Sequence, residues 1–230
     1  MITALVRKEL RELAPFAILA ALVQLYIVAG ITRISFGPEW SWWQRYLPTD
    51  SESLIPFQSN GGNFEGVFHV GALLGAVVAL RQTLWESARG TFHFLLHRPL
   101  ARTTIFFCKL ATGAGLCLLI TALPVAYYAL WAAAPGTHAS PFAWSMTAWA
   151  WQRCLVVPLL YFGTFMSGLR PARWFGSRLL PLAGSLLLAL ILSEIPTTPW
   201  QSSIMAAVSL FAIGVWVIGI MHVVRTRDYS

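Results

Sequence analysis

The densest chemistry in this chain lies between Glu86 and Lys109. A carboxylate at Glu86 is followed by Arg89, Gly90, Thr91, His93, Phe94, Leu95, Leu96, His97, Arg98, Pro99 and Arg102, and Lys109 then opens a hydrophobic run. His93 and His97 are four apart and share a helix face, which is how a zinc site can begin. The nearest third ligand, Glu86, is almost two turns away, so the ligand set is incomplete. Phe92, Phe94, Leu95 and Leu96 are too apolar for an ordinary solvated loop, and basic residues and histidines flank them. An apolar knob rimmed by charge is what a protein–protein contact needs. A short helix dipping into the lipid interface reads equally well on physical grounds. Gly90 permits a bend or close approach, and Pro99 stops the helix.

Elsewhere the sequence is sparing with reactive groups. Glu65 and His69 are four apart and read as a helix pair, with a proton relay as the alternative. Glu194 stands two residues before Pro196 and reads as an interfacial carboxylate or as one lining an exit. No HExxH, GxSxG or paired intramembrane acids occur, and the apolar stretches read as almost free of buried charge. That lowers the readings as intramembrane protease, ion pump or proton-driven carrier. The only two lysines, Lys8 and Lys109, do not follow a glycine, so no Walker A loop exists here. If ATP is consumed, another polypeptide binds it. Cys108, Cys117 and Cys154 form neither a zinc knuckle nor a disulfide framework and read as packing residues.

These groups are carried on a very apolar chain. Of 230 residues, 57% are hydrophobic and 11% charged, against about a quarter charged in soluble domains. Lipid must therefore cover much of the surface. Six stretches are long and apolar enough to cross a bilayer as helices, at about 15–34, 66–84, 105–131, 149–169, 179–195 and 204–224. Residues 15–224 thus make one six-helix transmembrane domain, with a tail at 225–230. The first hydrophobic run is too long for a signal-peptide core and reads as an uncleaved span.

The net charge of +7 could suggest nucleic acid, but its distribution points to topology instead. Arg7, Lys8 and Arg11 precede span one. Arg81, Arg89, Arg98, Arg102 and Lys109 surround the second-to-third loop. Arg170, Arg173 and Arg178 fill the fourth-to-fifth loop, and Arg225 and Arg227 end the chain. Only Arg33, Arg45 and Arg153 fall on the other side. The positive-inside rule then predicts a multi-pass protein of the inner (plasma) membrane with both termini cytoplasmic. Trp40, Trp42, Trp43, Trp131, Trp144, Trp149, Trp151 and Trp200 gather at the outer side, as an interfacial belt would. The long outer segment, about 35–65, reads as a short interfacial helix and a loop, or as a lid.

Residues 1–14 are amphipathic. Ile2, Leu5, Val6, Leu10 and Leu13 share one face, with Arg7, Lys8 and Arg11 opposite. This predicts a helix lying in the inner interface against anionic lipid, turning at Pro15 into span one. Glu9 sits on the apolar side, and it reads equally well as paired with a basic residue of the second-to-third loop or as a solvated, snorkelling carboxylate. In span two, Gly71 and Gly75 form a GxxxG stripe, which reads first as helix packing within one subunit.

The pattern Glu86, Gly90-Thr91, Leu95-Leu96, Arg98-Pro99, Arg102 and Lys109 resembles the loop between spans two and three of ABC-2-type permeases. These are the membrane subunits of one branch of ATP-binding-cassette transporters. The opening Arg7-Lys8-Glu9-Leu10-Arg11-Glu12-Leu13 is similar to that family's amphipathic start. His97 departs from the family's usual small residue, and the tryptophan-rich first outer loop is atypical. The resemblance implies an all-α bundle of six spans with an N-terminal interfacial helix and a short cytoplasmic coupling helix. That helix, carried here by Glu86, Arg89, Gly90, Thr91, Phe94, Leu95, Leu96, Arg98 and Pro99, would dock in a groove of a cytoplasmic ATPase subunit. ATP and magnesium would sit on that partner, with no cofactor, metal or catalytic residue in this chain. A second permease copy, identical or sibling, and membrane lipid are the other partners implied. The resemblance also implies a pathway lined by spans two and five, where Gly71, Gly75, Ser185, Ser193 and Glu194 would lie. A lining this apolar suggests export of an amphipathic or hydrophobic cargo. The reading from a different class is a non-transporting membrane scaffold, assembly or sensor subunit.

Overall fold

The computed structural model describes residues 2–32, 57, 64–88, 100–137, 141–170, 175–194 and 199–226. Six long helices account for most of them: α1 (Ile2–Ile31), α2 (Glu65–Leu80), α3 (Arg102–Ala133), α4 (Ala148–Leu169), α5 (Phe175–Glu194) and α6 (Pro199–Thr226). No strand occurs among the described residues. A wide π turn, Arg81–Trp85, continues α2 into a last helical turn, Glu86–Ala88. Five of these helices are long and apolar enough to cross a membrane. The exception, α4, spans 22 residues and carries Gln152 and Arg153 in its second turn. It also packs on four others, α2, α3, α5 and α6, while α1 packs on α2 and α3.

Helix α1 shows how sequence spacing sets the packing. Its buried positions are Leu5, Glu9, Leu13, Ala17, Ala20, Gln24 and Val28, with Ala29 alongside. Steps of three and four residues keep that set on one stripe of a 3.6-residue helix. Ile18, Leu19, Leu22, Val23 and Leu25 point outward, as lipid-facing side chains do. At 1.5 Å per residue the 30-residue helix is about 45 Å long, well over the ~30 Å of a hydrocarbon core. Its charged N-terminal turns therefore project beyond the hydrocarbon.

Two expectations are corrected here. The turn expected at Pro15 is absent, because α1 runs unbroken through that proline. The inward stripe continues without a phase change from Leu13 to Ala17, so packing on both sides of Pro15 holds the segments in line. The apolar face expected for residues 2–14 is also rotated. Ile2 and Leu10 are exposed, while Leu5, Glu9 and Leu13 face the bundle.

The bundle core divides along its length. One cluster runs through Leu13, Ala17, Leu74, Val78, Phe106, Leu110, Tyr161 and Phe165. A second, aromatic cluster lies at the opposite end, with Phe57, Phe64, Phe68, Tyr128 and Trp149. Ring pairs there meet edge-on, such as Phe68 on Trp149 at 5.5 Å and 89°, a favoured geometry for aromatic quadrupoles.

A buried ionic node as the candidate functional site

Three helices bring charge into the end of the bundle where α1 begins. Glu9 enters from the inward stripe of α1, Glu86 from the last turn after α2, and Lys109 from the second turn of α3. Lys109 has no exposed side-chain surface; Glu9 and Glu86 have 1% and 4%. The ammonium Nζ donates to Glu9 Oε1 at 2.7 Å and to Glu86 Oε1 at 2.6 Å. Charge-assisted bonds of this length are the strong ones, and a buried charge persists only when so partnered. Of the three, only Lys109 lies within an expected span; Glu9 and Glu86 stand just outside theirs, so the expected spans remain almost free of buried charge while their inner ends are not. The cluster itself was not legible, because the three groups are far apart in sequence and look isolated until the helices meet.

Neutral groups complete the node. The Gln82 amide, in the π turn, donates from Nε2 to Glu9 Oε2 at 3.0 Å and to the Lys109 carbonyl at 3.2 Å. Its Oε1 accepts the Tyr161 hydroxyl at 2.8 Å, which brings in α4. The same hydroxyl lies 3.3 Å from the Lys109 carbonyl. A π turn widens the helix by one residue, and such turns often occur at functional sites. Here it places Gln82 and Glu86 together on the inner side, both buried.

Gly113 makes room for this arrangement. A methyl there would collide with the Tyr161 hydroxyl and stand 2.7 Å from Gln82 Oε1. Only a residue without Cβ lets α3 approach α2 and α4 so closely.

An outer ring of charge closes the node toward the chain terminus. Lys8 lies 3.4 Å from Glu86, 3.4 Å from Glu12 and 3.8 Å from Glu9. Arg81 reaches Glu12 at 3.5 Å and stacks over the Trp85 ring at 5.3 Å. Three carboxylates thus face three cations, and the cluster is formally neutral. Lys8, Glu12 and Arg81 keep 31%, 27% and 22% of their side chains exposed, so water reaches this outer ring and not the buried node behind it. Arg7 and Arg11 point outward.

The sequence-derived candidates separate into three groups. Glu9, open between a basic partner near the second-to-third loop and a snorkelling position, meets Lys109 in the node. Glu86, expected on the coupling loop, is buried in the bundle rather than presented at its surface. Arg89, Gly90, Thr91, Phe94, Leu95, Leu96, Arg98 and Pro99, with His93 and His97, lie outside the described residues, as do Arg33 to Pro56.

The small-residue stripe is used inside the subunit. A Cβ on Gly71 would sit 2.5 Å from Thr121 Oγ1, and one on Gly75 would sit 3.3 Å from Tyr161 Cβ. Ser185 is buried against Gly163, with no hydrogen-bond partner for its hydroxyl. The Ser193 hydroxyl bonds its own helix at the Leu190 carbonyl, 2.7 Å away. Its carbonyl accepts Arg153 at 2.6 Å. Arg153 also pairs with Glu65 at 3.8 Å and lies over Trp149 at 5.2 Å. Glu65 therefore reaches across to α4, and His69 is exposed. The three cysteines are free and buried, as packing residues are.

Sequence reasoning missed Gln82 and Tyr161. Single polar residues in apolar runs carry no periodic signature. The available signal was the cost of burying them, which demands partners. Comparison with protein-family models, with curated proteins and with solved structures finds no match to this chain.

Proposed function

We propose that this chain is the membrane subunit of an ATP-binding-cassette transporter of the ABC-2 type. In this reading α4 is the sixth span, both termini are cytoplasmic, and two permease copies, identical or sibling, work in the inner membrane. A separate cytoplasmic ATPase docks on the loop at 89–99 and carries the ATP and magnesium. The cargo is amphipathic or hydrophobic, and the direction is export.

The observation that supports this reading is the position of the node. Residues 89–99 follow Glu86 and precede Lys109 in the sequence. These two residues are bonded to each other at 2.6 Å and to α1 at 2.7 Å. Gln82 and Tyr161 extend the connection to α4, which packs on four other helices. A force applied to such a loop passes to four helices, because close-packed interiors transmit displacement. A loop that only joined two spans would need no such anchorage.

Affinity purification in mild detergent tests the reading. The chain is expected to bring down a soluble protein with a P-loop, and Leu95→Asp with Leu96→Asp to lose it, since an unpaired charge in a protein contact costs several kcal/mol. Partners without an ATPase would point to a scaffold or sensor subunit.

A further inference from the structure

We propose that a crevice between α5 and α6, floored by α4, holds an acyl chain of an anionic phospholipid whose phosphate pairs with Arg178 and Arg170. The site needs only that these helices lie in a membrane, so it holds or fails apart from the transporter reading.

The crevice follows from how the two helices sit. Both α5 and α6 pack on α4 but hardly on each other. They converge at one end, where Ala189 and Leu192 of α5, Met205 of α6 and Val156 and Leu159 of α4 make one buried cluster. At the other end no cluster joins them among the described residues. There Ile220 and Val224 of α6 belong to the main core, and Ser185 of α5 turns to Gly163 of α4. One turn from Leu188, a Cβ on Gly184 would meet nothing within 4 Å. Along α4, positions 159, 163, 166 and 170 share one stripe. Leu159 and Gly163 are buried, Met166 is partly exposed and Arg170 is exposed. A Cβ on Gly219 of α6 would lie 3.7 Å from the Met166 methyl. Met166 is thus the floor where the two helices part. Methionine, leucine and glycine offer it room and apolar surface but no side-chain hydrogen bond, which suits hydrocarbon and not water.

Charge at the open end selects the headgroup. Arg178 donates from Nε to the Ser167 carbonyl and from a terminal nitrogen to the Gly168 carbonyl, each at 3.2 Å. These bonds fix its guanidinium against the end of α4 and leave further N–H groups to donate. Arg170 donates to the Ser177 carbonyl at 3.4 Å, and Arg225 is exposed in the last turn of α6. Among the described residues no carboxylate pairs with any of these three arginines. The acidic side chains described at this end, Glu9, Glu12 and Glu86, are taken up with Lys8, Arg81 and Lys109. A guanidinium fork matches phosphate oxygens. Basic groups that flank an apolar cleft between membrane helices are how a lipid headgroup is recognised.

The test uses the full-length protein in phosphatidylcholine vesicles with a minority of phosphatidylglycerol, each lipid in turn carrying a photoreactive diazirine on its acyl chain. Label on Met166 is compared with label on Leu119 and Leu123, outward-facing residues of α3. Phosphatidylglycerol is expected to label Met166 about fivefold more than phosphatidylcholine does per mole of probe, the scale of one arginine's attraction. The two lipids are expected to label Leu119 and Leu123 alike. Gly184→Leu fills the crevice at an open position, touches no charge, and is expected to abolish the preference. Arg178→Gln also removes two bonds that hold the end of α4, so Arg170→Gln, at an exposed position, is read beside it. Each is expected to lower the preference about threefold or more. Equal labelling of Met166 by the two lipids, or a preference that survives Gly184→Leu, overturns the site. An unchanged preference in both arginine variants overturns the headgroup contact. The same preference at Leu119 and Leu123 means attraction to the whole membrane face and overturns the crevice.

Discussion

Replacing Lys109 by methionine removes the one cation that both Glu9 and Glu86 touch. The side chain it replaces is fully buried and holds the carboxylates at 2.7 and 2.6 Å. Methionine matches the length of the lysine stem, so the cavity term is small and the loss is electrostatic. Two carboxylates then share the site with Lys8, at 3.4 and 3.8 Å and partly in water. Breaking a buried pair in this way costs about 3–5 kcal/mol, because the surviving charges stay desolvated. Glu9→Gln leaves Lys109 bonded to Glu86 and keeps an acceptor for Gln82, so about 1.5–3 kcal/mol is expected. The double variant removes one charge of each sign. Its cost should fall short of the sum of the single costs by about 0.5–3 kcal/mol, the coupling expected of residues in contact. The assay is unfolding of the helical signal in mixed micelles with increasing denaturing detergent, run on all four proteins. A Lys109→Met protein within about 0.5 kcal/mol of the parent, the size of an ordinary surface change, would refute the node as a structural centre. Strictly additive costs would show that the contact carries no coupling.

Other outcomes follow from the same geometry. Gly113→Ala should destabilise by about 1–3 kcal/mol through overpacking on Tyr161 and Gln82, whereas Gly115→Ala, which meets nothing within 4 Å, should be neutral or stabilise by up to about 1 kcal/mol; the same unfolding assay compares them. Tyr161→Phe should cost about 1–2 kcal/mol by leaving the Gln82 carbonyl without its donor. Cysteines placed at Asn60 and at Thr226 should label from opposite sides of the membrane with an impermeant reagent, and labelling of both from outside contradicts the orientation.

Much of the helical plan was readable from apolar runs, because a bilayer needs spans of a fixed minimum length. Boundaries were less readable. Span three was expected at 105–131 and runs Arg102–Ala133, and span six was expected at 204–224 and runs Pro199–Thr226. Hydropathy marks the hydrocarbon, whereas helices continue into the headgroups. Glu9 was visible as an anomaly, since it stands four residues from both Leu5 and Leu13 on the inward stripe. Its partner was not fixed by the sequence, which left pairing with a loop cation and a snorkelling carboxylate equally open until Lys109 was laid against it. Gln82 and Tyr161 were not. They are 79 positions apart, and no local pattern joins them. Gly113 likewise resembles any small residue until Tyr161 is laid against it. Pro15 misled because a proline before a span suggests a turn, and the inward stripe on both sides of it prevails.

The proposed function is that this chain turns ATP hydrolysis by a partner into movement of its own helices. Phosphate release measures that most directly, from the purified chain alone and from its native complex in lipid vesicles. The account predicts no turnover by the chain alone, whose sequence has no Gly-Lys-Ser/Thr motif, and sustained turnover by the complex that falls when Leu95→Asp and Leu96→Asp are combined. Sustained hydrolysis by the isolated chain, with contaminating ATPases excluded, would contradict it, as would a native complex with no ATPase activity.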